Sequence, residues 1–349
     1  MKATLKHIVF LSPGFPESEK DTTTIPALQD YLIALKKEIP KCRMTIITFQ
    51  FPFSKKEYLW NGYRIVPLNG KNKRIKKFTT WRKANTLLKQ IHIEHPISLL
   101  HSFWIGECSY IGTKFSEKNN IKHLVTAMGQ DVLKPNKYID SIKRKNTKVI
   151  TLSENHSNYL LQNFNTTSFI IPWGINEKKK PKSTEKMIDI LGVGSLNEVK
   201  NYIDFIEIIS EVKKTHPNIK VEIIGEGDKM KEIKNAILNK GLENTIQLIG
   251  RISRNEVFSK MEDAKILLHT STFESFGMVF IEALNAGMSI VSYQVGIAEN
   301  SNHWRIGNNK EELETLLLEA LRTPIEMNSE IDFSIKKTVL NYTKIYSTK

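Results

Sequence analysis

Short apolar runs alternate along this chain with longer segments in which apolar residues recur every three to four positions. KHIVFLS (6–12), MTIITF (44–49), YRIVPL (63–68), SLLHSF (98–103), KHLVTA (122–127), KVITLS (148–153) and SFIIPW (168–173) predict buried strands. Helical patterns fill most of the gaps, at 25–39, 78–94, 106–119 and 154–164. Thr22, Thr23 and Thr24 stand before the first helix, where hydroxyls are expected to cap it. A polar stretch broken by proline, 176–186, reads as a linker.

The alternation then resumes. Strands are predicted at MIDILGVG (187–194), KVEIIG (220–225), IQLIG (246–250), AKILLH (264–269) and SIVSY (289–293). Helices fit 200–215, 228–240, 254–262, 276–286 and 310–322, and a last one fits 335–345. Buried strands alternating with helices predict parallel sheets covered on both faces. The expected architecture is α/β, with two doubly wound domains over 1–175 and 185–330. Facing each other, they would bring the carboxyl ends of their strands to a shared cleft, where ligands bind in such sheets.

Composition narrows the class. A chain of 349 residues with 40% hydrophobic content supports two cores. MKATLKHIVFLSPG has too short an apolar run for a signal peptide, and no stretch approaches the roughly 20 apolar residues of a spanning helix. Cys42 and Cys108 are too few for a metal cluster or a disulfide framework and are expected to be reduced thiols. The expected location is the cytoplasm.

Net charge is +14, and residues 1–172 hold all of the excess, with 27 Lys/Arg against 12 Asp/Glu. Its densest run, 71–83, contains Phe78 and Trp81, three residues apart and so expected on one helix face. A solvated helix start and an anionic membrane surface remain open as readings of this run. Nucleic acid ranks last, because no binding module accompanies the charge.

Candidate chemistry concentrates in TSTFESFGMVFIEALNAG (270–287). Glu274 follows an apolar strand, and Glu282 follows after seven residues. A helix starting near Phe276 would offer its free N–H groups and dipole as an anion site between the two acids. Such a site suits a ligand with a diphosphate and several hydroxyls. The string from Glu274 to Val291, ESFGMVFIEALNAGMSIV, resembles the donor-binding signature of retaining glycosyltransferases of family 4, which have the GT-B fold.

That resemblance implies a metal-independent retaining transferase. It would move a hexose-type sugar from a nucleoside diphosphate to an acceptor hydroxyl on a sugar or lipid-linked acceptor, in cell-surface polysaccharide or glycolipid synthesis. Glu274 would touch the sugar and Glu282 the ribose hydroxyls, while the N–H groups of Phe276, Gly277 and Met278 face the diphosphate. In GVGSLNEVKN (192–201), Gly194 and Ser195 form a turn and Lys200 supplies charge for the diphosphate. Ser195 stands where the family commonly has Arg. Gly225, Glu226 and Ile252 would flank the base, and the last helix (333–349) would cross back onto the first domain. No cofactor is implied, and no Asp-x-Asp pair is present to clamp a metal.

The first half resembles the family mainly in topology and a few loops. Gly14, in LSPGFPES, matches a glycine brought close to donor phosphate and acceptor. TAMGQD (126–131) matches a segment where relatives show His-Gly-x-Asp, and here Met128 takes the His position beside Gly129 and Asp131. His101 and Glu107 are the further candidates for the cleft. Two other classes stay open: a GT-B epimerase or hydrolase of nucleotide-sugars, and a non-catalytic basic protein on membrane or nucleic acid.

Overall fold

The computed structural model describes residues 5–176, 186–323 and 333–348, so most of the expected linker lies outside the described residues. The chain divides into two compact units, 1–174 with 335–349, and 175–334.

Unit 1 opens with β1 (His7–Ser12), α1 (Pro26–Glu38), β2 (Arg43–Thr48), β3 (Tyr58–Trp60), β4 (Tyr63–Pro67) and α2 (Lys77–Glu94). It continues with β5 (Leu99–Phe103), α3 (Glu107–Asn119), β6 (Lys122–Thr126), α4 (Ile139–Ile142), β7 (Thr147–Thr151), α5 (Glu154–Phe164) and β8 (Phe169–Ile170). The strands form one sheet in the order β3-β4-β2-β1-β5-β6-β7-β8, parallel except for the β3–β4 hairpin. All six residues of β1 are buried, as a central strand covered on both faces requires. Neither β3 nor α4 was expected; each is too short to show a period.

One local expectation fails. The threonines do not cap α1. Asp21 accepts the N–H groups of Thr23 and Thr24 at 3.0 and 3.1 Å, forming its own turn, and Ile25 takes the N-cap with φ +50°. Pro26, whose φ is already helical, starts the helix instead. Helix α2 buries Thr80, Ala84, Leu88 and Ile91, a stripe at helical spacing. Trp81 leans toward that core, its ring 4.9 Å from Tyr110, whereas Phe78 stays 74% exposed. The two rings nonetheless meet edge to face, 5.9 Å between centroids, as their spacing predicts.

Unit 2 contains β9 (Ile188–Val193), α6 (Tyr202–Thr215), β10 (Val221–Ile224), α7 (Met230–Asn239), β11 (Ile246–Gly250) and α8 (Arg254–Glu262). After these come β12 (Ala264–His269), α9 (Met278–Asn285), β13 (Ser289–Tyr293), β14 (Trp304–Gly307) and α10 (Lys310–Arg322). Its parallel sheet runs β11-β10-β9-β12-β13-β14. One face is covered by Phe205, Ile209, Ile233, Leu313 and Leu317 of α6, α7 and α10. Met261, Phe280 and Ala283 of α8 and α9 cover the other. Strand order reverses between β9 and β12, which is where sheets of this kind open a crevice.

The final helix, α11 (Ile335–Ser347), belongs to unit 1. The Tyr346 hydroxyl lies 2.6 Å from the Tyr31 hydroxyl and 2.7 Å from His101 Nδ1. Thr126 Oγ1 lies 2.8 Å from His101 Nε2 and 3.0 Å from the Tyr342 hydroxyl, which accepts the Trp173 indole N–H at 3.1 Å. His101 is fully buried with both ring nitrogens engaged, so it belongs to this latch and not to a ligand site. Its place near the end of the apolar run, which made it a candidate for the cleft, is covered by α11.

Tyr346→Phe removes a hydroxyl that two buried groups share, and should cost about 1–3 kcal/mol in urea unfolding. Burial also drives the imidazole of His101 well below its ordinary pKa, that of His123 to about 3 and that of His156 to about 4. Below about pH 6.5 the unfolded chain takes up protons that these folded histidines refuse. Stability should therefore fall as pH drops from 6.5 toward 4, by up to about 1.4 kcal/mol per pH unit for each histidine. Urea midpoints measured across that range check the slope; a flat profile would contradict it.

Candidate active site

Because β9 and β12 are neighbours, the loops leaving Val193 and His269 emerge side by side at the carboxyl edge of the unit 2 sheet. Hydroxyl side chains join them. Thr270 Oγ1 donates to the carbonyls of Lys200 and Asn201 at 3.1 and 2.9 Å, and Ser271 Oγ to that of Val199 at 3.1 Å. The Thr272 N–H adds a bond to the same Val199 carbonyl at 2.9 Å. Lys200 and Glu274, 74 residues apart, are thereby brought into contact, and the ammonium bonds Glu274 Oε1.

His269, the last residue of β12, donates Nε2–H to the same Oε1 at 2.9 Å. Burial alone would raise the Glu274 carboxyl, but Lys200 and His269 outweigh it and hold its pKa near 2. For His269 burial dominates and lowers the pKa, so the ring is a neutral donor. The cluster is an ionised carboxylate held by one cation and one neutral donor, with both side chains of the ion pair at least four-fifths buried. His269 was missed in the sequence, where it reads only as the end of an apolar strand.

The helix beyond begins later than the pattern suggests. Its N-cap is Gly277, with φ +89°, and a Cβ there would stand 2.3 Å from the Phe280 ring. Only Met278 of the expected trio lies within α9, which no side chain caps. The Phe276 ring is buried edge-on against Phe333, and its carbonyl accepts the Ile297 N–H, so its side chain serves packing. Glu282 lies one turn into α9 and meets the Arg254 guanidinium at 3.3 Å. Arg254 heads α8 and is a second residue the sequence did not flag.

Three glycine-containing turns interlock next to Lys200. Gly194 N–H bonds the Ile224 carbonyl, Gly225 N–H bonds that of Gly250, and Leu196 N–H bonds that of Glu226. A Cβ on Gly225 would sit 1.8 Å from the Gly194 oxygen. Ser195 and Glu226 point to solvent, and Ile252 packs partly against the α8–α9 core. Glu226 contributes its carbonyl to the turn and leaves its carboxylate unused there.

In unit 1 the remaining candidates lie on loops at the carboxyl edge of its own sheet. Gly14 follows β1, and its carbonyl accepts Ser12 Oγ at 2.7 Å. Asp131 accepts the N–H groups of Ile105 and Gly129 at 2.7 Å each and of Met128 at 3.2 Å, tying the β5 and β6 loops together. Its role is to hold loops. The Gly129 carbonyl bonds His156 Nε2 at 3.0 Å. Glu107 heads α3, with Gln50 Nε2 at 3.1 Å and Lys77 at 3.8 Å. Among the described residues no group of three or more His, Cys, Asp or Glu is gathered as a metal ion would need.

The family model "Glycosyl transferases group 1" matches residues 175–328, which is nearly all of unit 2. An uncharacterized glycosyltransferase of Methanocaldococcus jannaschii is 26% identical over 281 residues, covering 74% of this chain and 77% of that protein. The comparisons support the group 1 glycosyltransferase superfamily. Sucrose-phosphate synthase from Thermosynechococcus elongatus superposes with a TM-score of 0.72 at 14% identity, covering 98% of both chains. WaaG, a glycosyltransferase involved in lipopolysaccharide biosynthesis, superposes with a TM-score of 0.67 at 15% identity, covering 97% of this chain and 95% of its own. The fold is GT-B, built from two Rossmann-like sheets.

Gly225→Ala should force the Gly194 turn away from Lys200. The expected result is a loss of about 1–3 kcal/mol in stability, an overpacking cost. A variant as stable as wild type would show that the turns are not locked together.

Proposed function

We propose that the protein is a metal-independent, retaining hexosyltransferase. It would transfer a sugar from a nucleoside diphosphate to an acceptor hydroxyl in cell-surface polysaccharide or glycolipid synthesis. One observation carries the reading: an ionised Glu274, held by Lys200 and His269, at the foot of an uncapped α9. The group 1 match over the same residues supports it, as does the likeness of the fold to a protein named for lipopolysaccharide biosynthesis.

Each residue has a distinct task in this mechanism. The α9 N–H groups and Lys200 receive the diphosphate, and Lys200 stabilises the negative charge that grows as the sugar leaves. Glu274 lies where its charge opposes the positive character growing at the transferred carbon. Glu282 and Arg254 bracket the ribose hydroxyls, the carboxylate accepting from both. With no protein nucleophile assigned, attack comes from the face the leaving group departs, and the departing phosphate oxygen takes the acceptor's proton. No metal or cofactor enters the scheme. The enzyme works at the inner face of the cell membrane, with 71–83 toward anionic lipid.

A thermal-shift panel of nucleoside-diphosphate hexoses tests donor binding. A true donor at 100 times its Kd adds about 2.7 kcal/mol of stability; no shift with any of the panel would remove the reading. Glu274→Ala should lower kcat by about 10²–10³ with little change in KM. Lys200→Ala should weaken donor binding as well. Near-wild-type kinetics in both variants would refute the assigned roles. Free sugar or an epimer formed without acceptor would instead assign the chain to a hydrolase or epimerase.

A further inference from the structure

Folding brings Lys55 close to the run Lys71, Lys73, Lys76 and Lys83, and large apolar side chains lie exposed beside these lysines. Ile75 is 86%, Phe78 74% and Phe53 53% exposed. Phe53 belongs to the loop after β2, more than twenty residues before the other two. The loops meet because the Gly70 and Lys71 N–H groups bond the carbonyls of Phe49 and Gln50 at 2.9 and 3.1 Å. Gln50 Oε1 also accepts the Asn72 N–H at 2.9 Å, and the Lys71 ammonium sits 5.9 Å from the Phe53 ring centre.

Charge in this patch is arranged against local preference. The first turn of α2 has Lys76 at its N-cap and Lys77 next and holds no acidic residue of its own to offset the positive end of the helix dipole, although Glu107 of α3 reaches Lys77 at 3.8 Å. Partial desolvation, and after it the ammoniums of Lys71, Lys73, Lys55 and Lys83, lower the pKa of Lys76. Cations crowded on one another and on a helix amino end favour an anionic partner. Exposed Ile and Phe among them favour a partner with an apolar layer beneath its charge. A bilayer with anionic headgroups has both.

We propose that segments 51–56 and 71–83 form one interfacial docking surface for an anionic lipid bilayer, which presents the acceptor as a membrane-borne, lipid-linked hydroxyl. The surface is built on loops leaving the carboxyl ends of β2 and β4, the same sheet edge that carries Gly14, Glu107 and Gly129. Gln50 and Lys77 join the two, since both contact Glu107. Docking therefore brings that edge to the headgroup layer. The acceptor half rests on the proposed glycosyl transfer; the docking half does not.

The full chain should cosediment with phosphatidylcholine vesicles containing phosphatidylglycerol, release at high salt, and ignore pure phosphatidylcholine. Lys71→Ala and Lys73→Ala should each lower partition about fivefold at low salt. The triple variant Phe53→Ser, Ile75→Ser, Phe78→Ser should lose vesicle binding while keeping its thermal midpoint, because these side chains are exposed. Equal binding by wild type and triple variant overturns the surface. So does preference for a single-stranded oligonucleotide over the anionic vesicles. Donor-induced thermal shifts, unchanged in the triple variant, separate this outcome from failure of donor binding. With a membrane lipid extract and the donor picked by those shifts, label should enter the organic phase. Label confined to the aqueous phase, or none despite donor stabilisation, overturns the acceptor half.

Discussion

Contact between Lys200 and Glu274 depends on how closely two adjacent strands deliver their loops. Parallel strands stand under 5 Å apart, so the chain after β9 and the chain after β12 have no room to diverge at once. Thr270, Ser271 and Thr272 use that proximity to bond the carbonyls of 199–201 directly. The interlocked glycine turns complete the constraint from the β10 side. A carboxylate this deeply placed would ordinarily gain a proton; here one ammonium and one neutral imidazole keep it charged. Charge and position are thus set by the same backbone arrangement.

Much of this was legible in the sequence because it depends on short, buried, regular elements. Each strand core from KHIVFLS to SIVSY appears in the fold, with ends shifted by a few residues at most, since uninterrupted apolar runs suit a sheet covered on both faces. Less legible was whatever depends on contacts distant in sequence. His269 carries no local signal; Glu274 is only five residues on, but the cluster the two join is completed by Lys200, 74 residues from that acid. Arg254 lies 28 residues from Glu282. His101 misled because its cover, α11, comes some 245 residues later. The start of α9 moved because Phe276 was drawn into the core against Phe333.

The two units use the carboxyl edge of a sheet in different ways. In unit 2 that edge concentrates opposite charges in a small, largely buried group. In unit 1 it is assembled from backbone donors around Asp131 and from the Gln50–Glu107–Lys77 contacts, while Lys71, Lys73, Lys76 and exposed apolar side chains collect to one side. A partly buried ion pair requires fixed geometry, whereas an interfacial surface needs only area and sign. Charge asymmetry along the sequence led to the docking surface proposed above, and motif spacing led to the ion pair.

Residues 335–347 also impose an order on how the molecule is made. Tyr342 and Tyr346 close over Tyr31, His101 and Trp173, yet all of unit 2 is synthesised before them. On the ribosome the second unit can be complete while the first still has an open aromatic hollow. The earlier-made half is thus the later to finish folding, and it waits with a buried histidine exposed to water.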